Sequence, residues 1–162
     1  MSVYVAHPDD IPAIREIARD SWRNDYPDIL SRENVEETVD DWYGDEQLRA
    51  ALEDPWTQIF VAVEPSDIVG FAHAVLGEHE GNVLRLYVRP GARRQGIGSE
   101  LFERCRTELG RHDIEQLNAM VLAANDIGNG FYQNLGLERS DRVETTIAGE
   151  TFEEHTYSVQ LR

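Results

Sequence analysis

The spacing of hydrophobic residues along the chain alternates between a helical period and a strand period. After the short opening strand VYVAH, apolar residues recur at intervals of three and four, at Ile14, Ile17, Ala18 and Trp22. This spacing predicts an amphipathic helix. A second helical stretch covers 32–43, and 48–53 is expected to add a last helical turn.

Hydrophobic and polar residues then alternate in the middle of the chain. The pattern predicts three strands separated by polar turns, at Gln58–Glu64, Ile68–Leu76 and Val83–Val88, with the second turn over 78–82. A helical period returns near Gly98. Its apolar face is made by Leu101, Phe102, Cys105 and Leu109.

The last third of the chain repeats this alternation. It predicts a strand over Leu117–Leu122, then a helix that ends at Gly136 and carries one apolar face of Ile127, Phe131 and Leu135. Two strands near 142–147 and 155–161 close the order β-α-α-β-β-β-α-β-α-β-β. We therefore expect an α/β fold, a mixed sheet with helices on its faces. Because no repeat or linker interrupts the pattern, residues 1–162 are interpreted as a single domain.

The charge balance limits the classes of partner. Acidic residues number 31 against 15 basic residues, the net charge is −16, and every basic residue is Arg. This excess argues against nucleic acid as a partner. Spread acidic residues and the absence of Lys favour a halophilic source over a surface that attracts cationic substrates. The chain has no apolar run of about 20 residues, so we expect no membrane partner. A single cysteine, Cys105, cannot form an internal disulfide, which fits the reducing cytoplasm, and we expect a cytoplasmic protein.

The segment after the third strand of the hairpin region has the composition of a phosphate site. A Pro-Gly turn is followed by Arg93–Gly98 (RRQGIG), which leads into a helix. Glycines allow the backbone to approach a ligand, and the first N–H groups of a helix lack internal partners and favour anions. A P-loop is excluded because no Lys follows, and a dinucleotide fingerprint would need a small residue where Leu101 stands.

A second motif follows a later strand in the order expected of one family. The residues Arg93–Gly98 match the pattern Gln/Arg-x-x-Gly-x-Gly/Ala, and Asn125–Leu137 (NDIGNGFYQNLGL) is close to Asn-x-x-Ala-x-x-Phe-Tyr-x-x-x-Gly-Phe. The chain therefore resembles the GNAT family of N-acetyltransferases over 3–161. Gly128 replaces the pattern's Ala and Leu137 replaces its Phe. The resemblance implies the family's splayed central sheet.

The resemblance also implies a reaction and its residues. Acetyl-CoA would be the co-substrate, and its acetyl group would pass directly to a primary amine in a ternary complex. Its pantetheine would pair with the backbone of Leu86, Tyr87 and Val88. The pyrophosphate would rest on the loop residues Arg93, Arg94, Gln95, Gly96, Ile97, Gly98 and Ser99, and Asn125 would contact the cofactor. Tyr132 would face the thioester sulfur as the general acid.

Several assignments stay open at this level. The general base could be His73, a residue of the turn Glu78–Glu80, or a water chain. Trp22 and Tyr26 are candidates for contact with a cationic amine, with core packing as the alternative for Trp22. The five His show no metal-ligand spacing, so no metal is expected. A non-catalytic acetyl-CoA-binding regulatory module is the alternative function, and a homodimer is an open expectation.

Overall fold

The structure is a computed structural model that describes residues 2–25, 32–93, 95–147 and 149–161. The strands are β1 (Ser2–Val5), β2 (Thr57–Glu64), β3 (Asp67–Leu76), β4 (Glu80–Val88), β5 (Gln116–Leu122), β6 (Glu138–Ile147) and β7 (Glu150–Gln160). The helices are α1 (Ile11–Asp25), α2 (Arg32–Tyr43), α3 (Asp45–Glu53), α4 (Ile97–Gly110) and α5 (Asp126–Asn134). Short 3-10 turns cover Pro8–Asp10 and Pro90–Ala92.

The strands form one mixed sheet in the order β1-β2-β3-β4-β5-β7-β6. The central pair β4 and β5 is parallel, and its crossover is α4. The neighbouring pairs are antiparallel. A parallel central pair flanked by hairpins agrees with the predicted α/β class, and it puts the carboxyl ends of β4 and β5 side by side.

The parallel pair β4–β5 separates halfway along its length. Its ladder runs only from Glu80, opposite Gln116, to Val83, opposite Ala119. The register of β4 against β3 shifts at the same place, because Ala74 pairs with Val83 and His73 pairs with Arg85. This bulge inserts one extra residue and bends β4. The ends of the two strands therefore diverge, as expected for a splayed central sheet.

Two hydrophobic clusters cover the two faces of the sheet. One joins α4 and α5 to the sheet and contains Leu101, Phe102, Cys105, Leu117 and Ala119 among its buried members. The other lies under α1 to α3 and contains the four predicted apolar positions of the first helix, Ile14, Ile17, Ala18 and Trp22. Burial raises the pKa of Cys105 to about 12, so its thiol stays protonated within the core.

Several details differ from the sequence prediction, among them the starts of β6 and β7, which lie four to five residues earlier than predicted. The strand β4 begins at Glu80, inside the predicted turn 78–82, because Gly81 packs closely against Leu109 of α4. The predicted last turn at 48–53 is a separate helix, α3, which begins after Gly44. Ile127 does not join an apolar face in α5, since it is 62% exposed. Within the described residues, no helix is long and apolar enough to cross a membrane.

Candidate active site

A cleft of about 840 Å³ opens where β4 and β5 diverge. Because the gap passes through the sheet, residues from both faces line it. We call one half the α4 side; it is lined by residues that include Arg93, Gly96, Gly98, Asn125 and Phe131. The other half, the α1 side, is lined by Trp22, Asn24, Arg85, Leu122 and Glu154. Leu86, Tyr87 and Val88 run between the two halves, and Tyr132 also lines the cleft.

The N-terminus of α4 presents free backbone donors to the α4 side. The first helical hydrogen bond of α4 runs from Glu100 N to the carbonyl of Gly96, at 3.1 Å. The N–H groups of Ile97, Gly98 and Ser99 precede that bond, and the cap residue Gly96 supplies no side chain to them. Donors of this kind, at the positive end of the helix dipole, favour an anionic ligand.

Glycine is required at two positions of this loop for different reasons. Gly96 has a φ of 81°, a left-handed conformation that L side chains rarely adopt. A Cβ on Gly98 would lie 3.1 Å from Cε1 of Phe131 and 3.7 Å from Cδ2 of Leu86. The absence of a side chain at Gly98 therefore lets α4 start close to α5 and β4, and this close approach shapes the α4 side.

The end of β4 is fixed by hydrogen bonds to the elements around it. Nε of Arg93 donates to the carbonyl of Val88 at 3.0 Å, which folds the loop back onto the strand. The indole N–H of Trp22 donates to the hydroxyl of Tyr87 at 2.7 Å, which ties α1 to β4. Beyond Val83, the edge of β4 that faces β5 is not occupied by the parallel ladder. An extended ligand could pair with it along Leu86–Val88.

The helix α5 brings a phenol to the cleft. Asn125 caps the helix, because its Oδ1 accepts a hydrogen bond from Gly128 N at 2.9 Å. About two turns after this cap, Tyr132 packs against Phe102, Phe131 and Tyr157, with ring centroids 5.1–6.1 Å apart. Within the described residues, its hydroxyl makes no hydrogen bond. Burial, with Cys105 and Tyr87 adding to it, raises the pKa of Tyr132 far above its usual value, so the phenol keeps its proton.

The α1 side contains an ion pair that the sequence analysis did not identify. Nη1 of Arg85 lies 3.7 Å from Oε2 of Glu154, and the two side chains are 17% and 11% exposed. The guanidinium of Arg85 lies over the ring of Trp42 at 4.4 Å from its centroid. Trp42 in turn packs edge-on against Trp22, with centroids 5.4 Å apart. The Arg85–Glu154 pair therefore lies next to the packed tryptophan rings of α1 and α2.

Most of the predicted site residues come together in the cleft. Those that line it are Trp22, Leu86, Tyr87, Val88, Arg93, Gly96, Ile97, Gly98, Ser99, Asn125 and Tyr132. Gln95 is exposed and is not part of the lining. Arg94 and Tyr26 lie outside the described residues. Trp22 is only 1% exposed, so it forms a wall of the cleft and offers little surface to a ligand.

The predicted candidates for the general base do not line the cleft. Burial and the positive charge of Arg85 lower the pKa of His73 to about 4, which makes its imidazole a weak base. The turn Glu78–Glu80 lies at the opposite end of β4, where Glu80 accepts a hydrogen bond from Asn118. Arg85 and Glu154, which do line the cleft, were missed because neither belongs to a motif. The described residues contain no cluster of His, Cys, Asp or Glu suited to a metal ion.

Comparison with known proteins identifies the fold and its family. The model of the acetyltransferase (GNAT) domain family matches residues 55–139, just over half of the chain. The chain belongs to the GNAT acetyltransferase family. The matched segment contains the loop before α4, the strand β5 and the helix α5 with Tyr132. The resemblance deduced from the two motifs is therefore confirmed.

Named relatives agree with this membership. The spermidine N(1)-acetyltransferase of Thermoplasma acidophilum is 25% identical over 137 residues, which cover 82% of this chain and 85% of that protein. The crystal structure of the PaiA N-acetyltransferase of the same organism, in complex with coenzyme A, has a TM-score of 0.81. It is 24% identical, and the match covers 95% of this chain and 98% of the other. A GCN5-related N-acetyltransferase from Rhodopseudomonas palustris has a TM-score of 0.82 at 20% identity, with 98% and 94% covered.

Proposed function

We propose that this GNAT protein transfers the acetyl group of acetyl-CoA directly to a primary amine in a ternary complex. The observation that carries the proposal is the cleft through the splayed sheet. An uncapped helix N-terminus and a protonated, buried phenol line the same cleft, together with residues from both faces of the sheet. An anionic co-substrate and an amine could therefore enter from opposite faces and meet at the gap between β4 and β5.

The α4 side fits the chemistry of coenzyme A. In the proposed complex, the N–H groups of Ile97, Gly98 and Ser99 bind the pyrophosphate, and Arg93 adds a positive charge close to it. The pantetheine amides pair with the edge of β4 beyond the parallel ladder, along Leu86–Val88. Asn125, which follows β5, contacts the same part of the ligand. The coenzyme A complex of the PaiA structure supports a CoA ligand for this fold.

Tyr132 is proposed as the general acid. When the amine attacks the thioester carbonyl, a carbon–nitrogen bond forms and the carbonyl oxygen becomes an oxyanion. As the carbon–sulfur bond breaks, the phenol of Tyr132 gives its proton to the leaving thiolate and recovers one from the new amide nitrogen. The raised pKa of Tyr132 supports this role because it keeps the phenol protonated at neutral pH.

The acceptor is proposed to be a small cationic amine of the polyamine type. Two observations support this class. The curated relative with 25% identity is named for spermidine, and the net charge of −16 raises the local concentration of cations around the protein. The halophilic explanation of the same charge remains a separate proposal, because molar salt would screen the attraction of cationic amines.

A thiol-release assay with acetyl-CoA tests the function. Spermidine, a peptide with a free N-terminus and an amino-sugar would be compared, in dilute and in molar salt. We expect release with spermidine and a fall of about 100-fold or more in kcat for Tyr132→Phe, since general acid catalysis contributes 10²–10⁴-fold. The dissociation constant of CoA should change less than twofold, because the ring and its packing are retained.

Tyr4→Phe is the matched control, because Tyr4 is an exposed residue of β1 at the far edge of the sheet. Its kcat should equal that of the wild type. Unchanged turnover in Tyr132→Phe would remove Tyr132 from the mechanism. Tight CoA binding with no release for any amine would instead select the non-catalytic regulatory module.

A further inference from the structure

A buried carboxylate on the α1 side has no role in the function proposed so far. Glu154 lies on β7, is 8% exposed and lines the cleft. It pairs across the β5–β7 ladder with Leu122, which belongs to the hydrophobic cluster under α1 to α3. The side chain therefore extends from the face of the sheet opposite α4 and α5. Two described acidic residues line the cleft, Asp126 and Glu154. Asp126 is exposed, whereas Glu154 is buried.

The oxygens of Glu154 retain capacity for a hydrogen-bond donor. Arg85 is 3.7 Å away, which is longer than a hydrogen bond. In the described part of the chain, the carboxylate receives no hydrogen bond. Buried carboxylates are normally paired and also hydrogen-bonded, because an unsatisfied buried charge costs several kcal/mol. Arg85 offsets the charge as an ion-pair partner from its place over Trp42, but it makes no hydrogen bond to the carboxylate oxygens.

The position of Glu154 matches what an attacking amine requires. An alkylamine is protonated at neutral pH and must lose a proton before its lone pair can attack. Glu154 reaches the cleft from the α1 side, and Tyr132 reaches it from α5. A thioester carbonyl at the gap between β4 and β5 would lie between these two groups. The base would thus face the nucleophile and the acid would face the leaving group.

We propose that Glu154 is the catalytic residue that binds the acceptor's ammonium group and removes its proton. This inference rests on the proposed acetyl transfer to a primary amine. A proton passes from R–NH3⁺ to the carboxylate, and R–NH2 then attacks the thioester carbonyl. Tyr132 transfers protons at the sulfur and nitrogen as described above. Glu154 returns its proton to solvent after the amide leaves, so the cycle releases one acetamide, one CoA thiol and one proton.

Other described groups around Glu154 are less suited to this task. His73, the ladder partner of Arg85, is a weak base because its pKa falls to about 4. Arg85 cannot act as a base, because its guanidinium is already protonated and has no acceptor atom. The ladder partners of Glu154, Leu122 on β5 and Val143 on β6, are apolar. Among these groups, the carboxylate of Glu154 is the one that can accept a proton on the α1 side of the cleft.

The test compares an amine that must lose a proton before it attacks with one that is already neutral. Spermidine must be deprotonated, whereas O-methylhydroxylamine is already neutral at pH 7.5. For Glu154→Gln, we expect kcat/KM with spermidine to fall at least 100-fold. With O-methylhydroxylamine it should fall less than fivefold. Glu153→Gln is the matched control, since Glu153 is on the same strand, is 45% exposed in its side chain, and should keep wild-type rates with both amines.

Loss of the charge opposite Arg85 could also unfold the protein, so a second variant accompanies the first. Glu154→Asp keeps the charge and withdraws the carboxylate by one methylene, and should lose activity selectively with spermidine. An equal loss with both amines, or rates within threefold of the wild type, would overturn the assignment of Glu154. No transfer to any amine by the wild-type protein would instead refute the proposed function itself.

Discussion

The two sides of the cleft are built by different parts of the polypeptide. The α4 side presents main-chain donors at the start of α4 and the edge of β4 beyond its ladder with β5. The α1 side presents side chains, namely the Arg85–Glu154 pair on the tryptophans of α1 and α2. A backbone site suits a ligand that many proteins share, because its geometry depends on the local conformation alone. A side-chain site can be changed residue by residue and thus suits a variable acceptor.

The largest effect is expected when the α4 side is filled at one position. In Gly98→Val, a Cβ at 3.1 Å from Phe131 would carry two further methyl groups into the cleft. The loop or Phe131 must then move, and the donors at the start of α4 lose their alignment. We expect the dissociation constant of CoA, measured by isothermal titration calorimetry, to rise about 30-fold, or ~2 kcal/mol.

Gly91→Ala is the control in the same loop, because a Cβ there would have no neighbour within 4 Å. Its affinity for CoA should match that of the wild type. Equal affinities for the wild type and Gly98→Val would mean that CoA does not depend on the start of α4. The division of the cleft into a backbone side and a side-chain side would then be wrong.

A second substitution weakens the α1 side without touching the α4 side. Trp22→Phe removes the 2.7 Å hydrogen bond to the hydroxyl of Tyr87 and part of the packing against Trp42. We expect the free energy of unfolding to fall by about 1.5 kcal/mol, the sum of a buried hydrogen bond and lost contact. The KM for spermidine should rise severalfold while the affinity for CoA stays constant.

Trp56→Phe provides the comparison, since Trp56 is 62% exposed and away from the cleft lining. Denaturant unfolding of both variants measures the change in stability, and steady-state kinetics measure the change in KM for spermidine. Parallel losses of CoA and spermidine binding in Trp22→Phe would show that the two sides are coupled through Tyr87. Tyr87 lies between the α4 side and the α1 side, so it is the residue through which such a coupling would pass.

The difference between the two sides also explains what the sequence could predict. Loop residues such as Gly96 and helix residues such as Asn125 carry local requirements, a positive φ and a helix cap, that leave a recognisable pattern. The pair Arg85 and Glu154 has no such pattern, because two strands far apart in sequence bring it together. The bulge in β4, which turns Arg85 toward the α1 side, also has no sequence signal. The motifs therefore predicted the α4 side, and the structure was needed for the α1 side.

The smallest predicted effect concerns α5, which carries Tyr132 to the cleft and contains two glycines. Glycine in a helix costs about 1 kcal/mol relative to alanine. A Cβ on Gly130 would have no neighbour within 4 Å. On Gly128, it would lie 2.7 Å from Cγ2 of Val121 and from Nδ2 of Asn125. The two positions should therefore respond to the same substitution with opposite signs.

We expect Gly130→Ala to raise the free energy of unfolding by about 0.5–1 kcal/mol, and Gly128→Ala to lower it. Gly128 stands where the family pattern has alanine, so a choice based on the pattern alone would favour the destabilising variant. Thermal and denaturant unfolding of the ligand-free protein measure both changes. Equal stabilisation by the two variants would place Val121 away from Gly128. The close packing of α5 on β5, which positions the phenol of Tyr132 in the cleft, would then be incorrect.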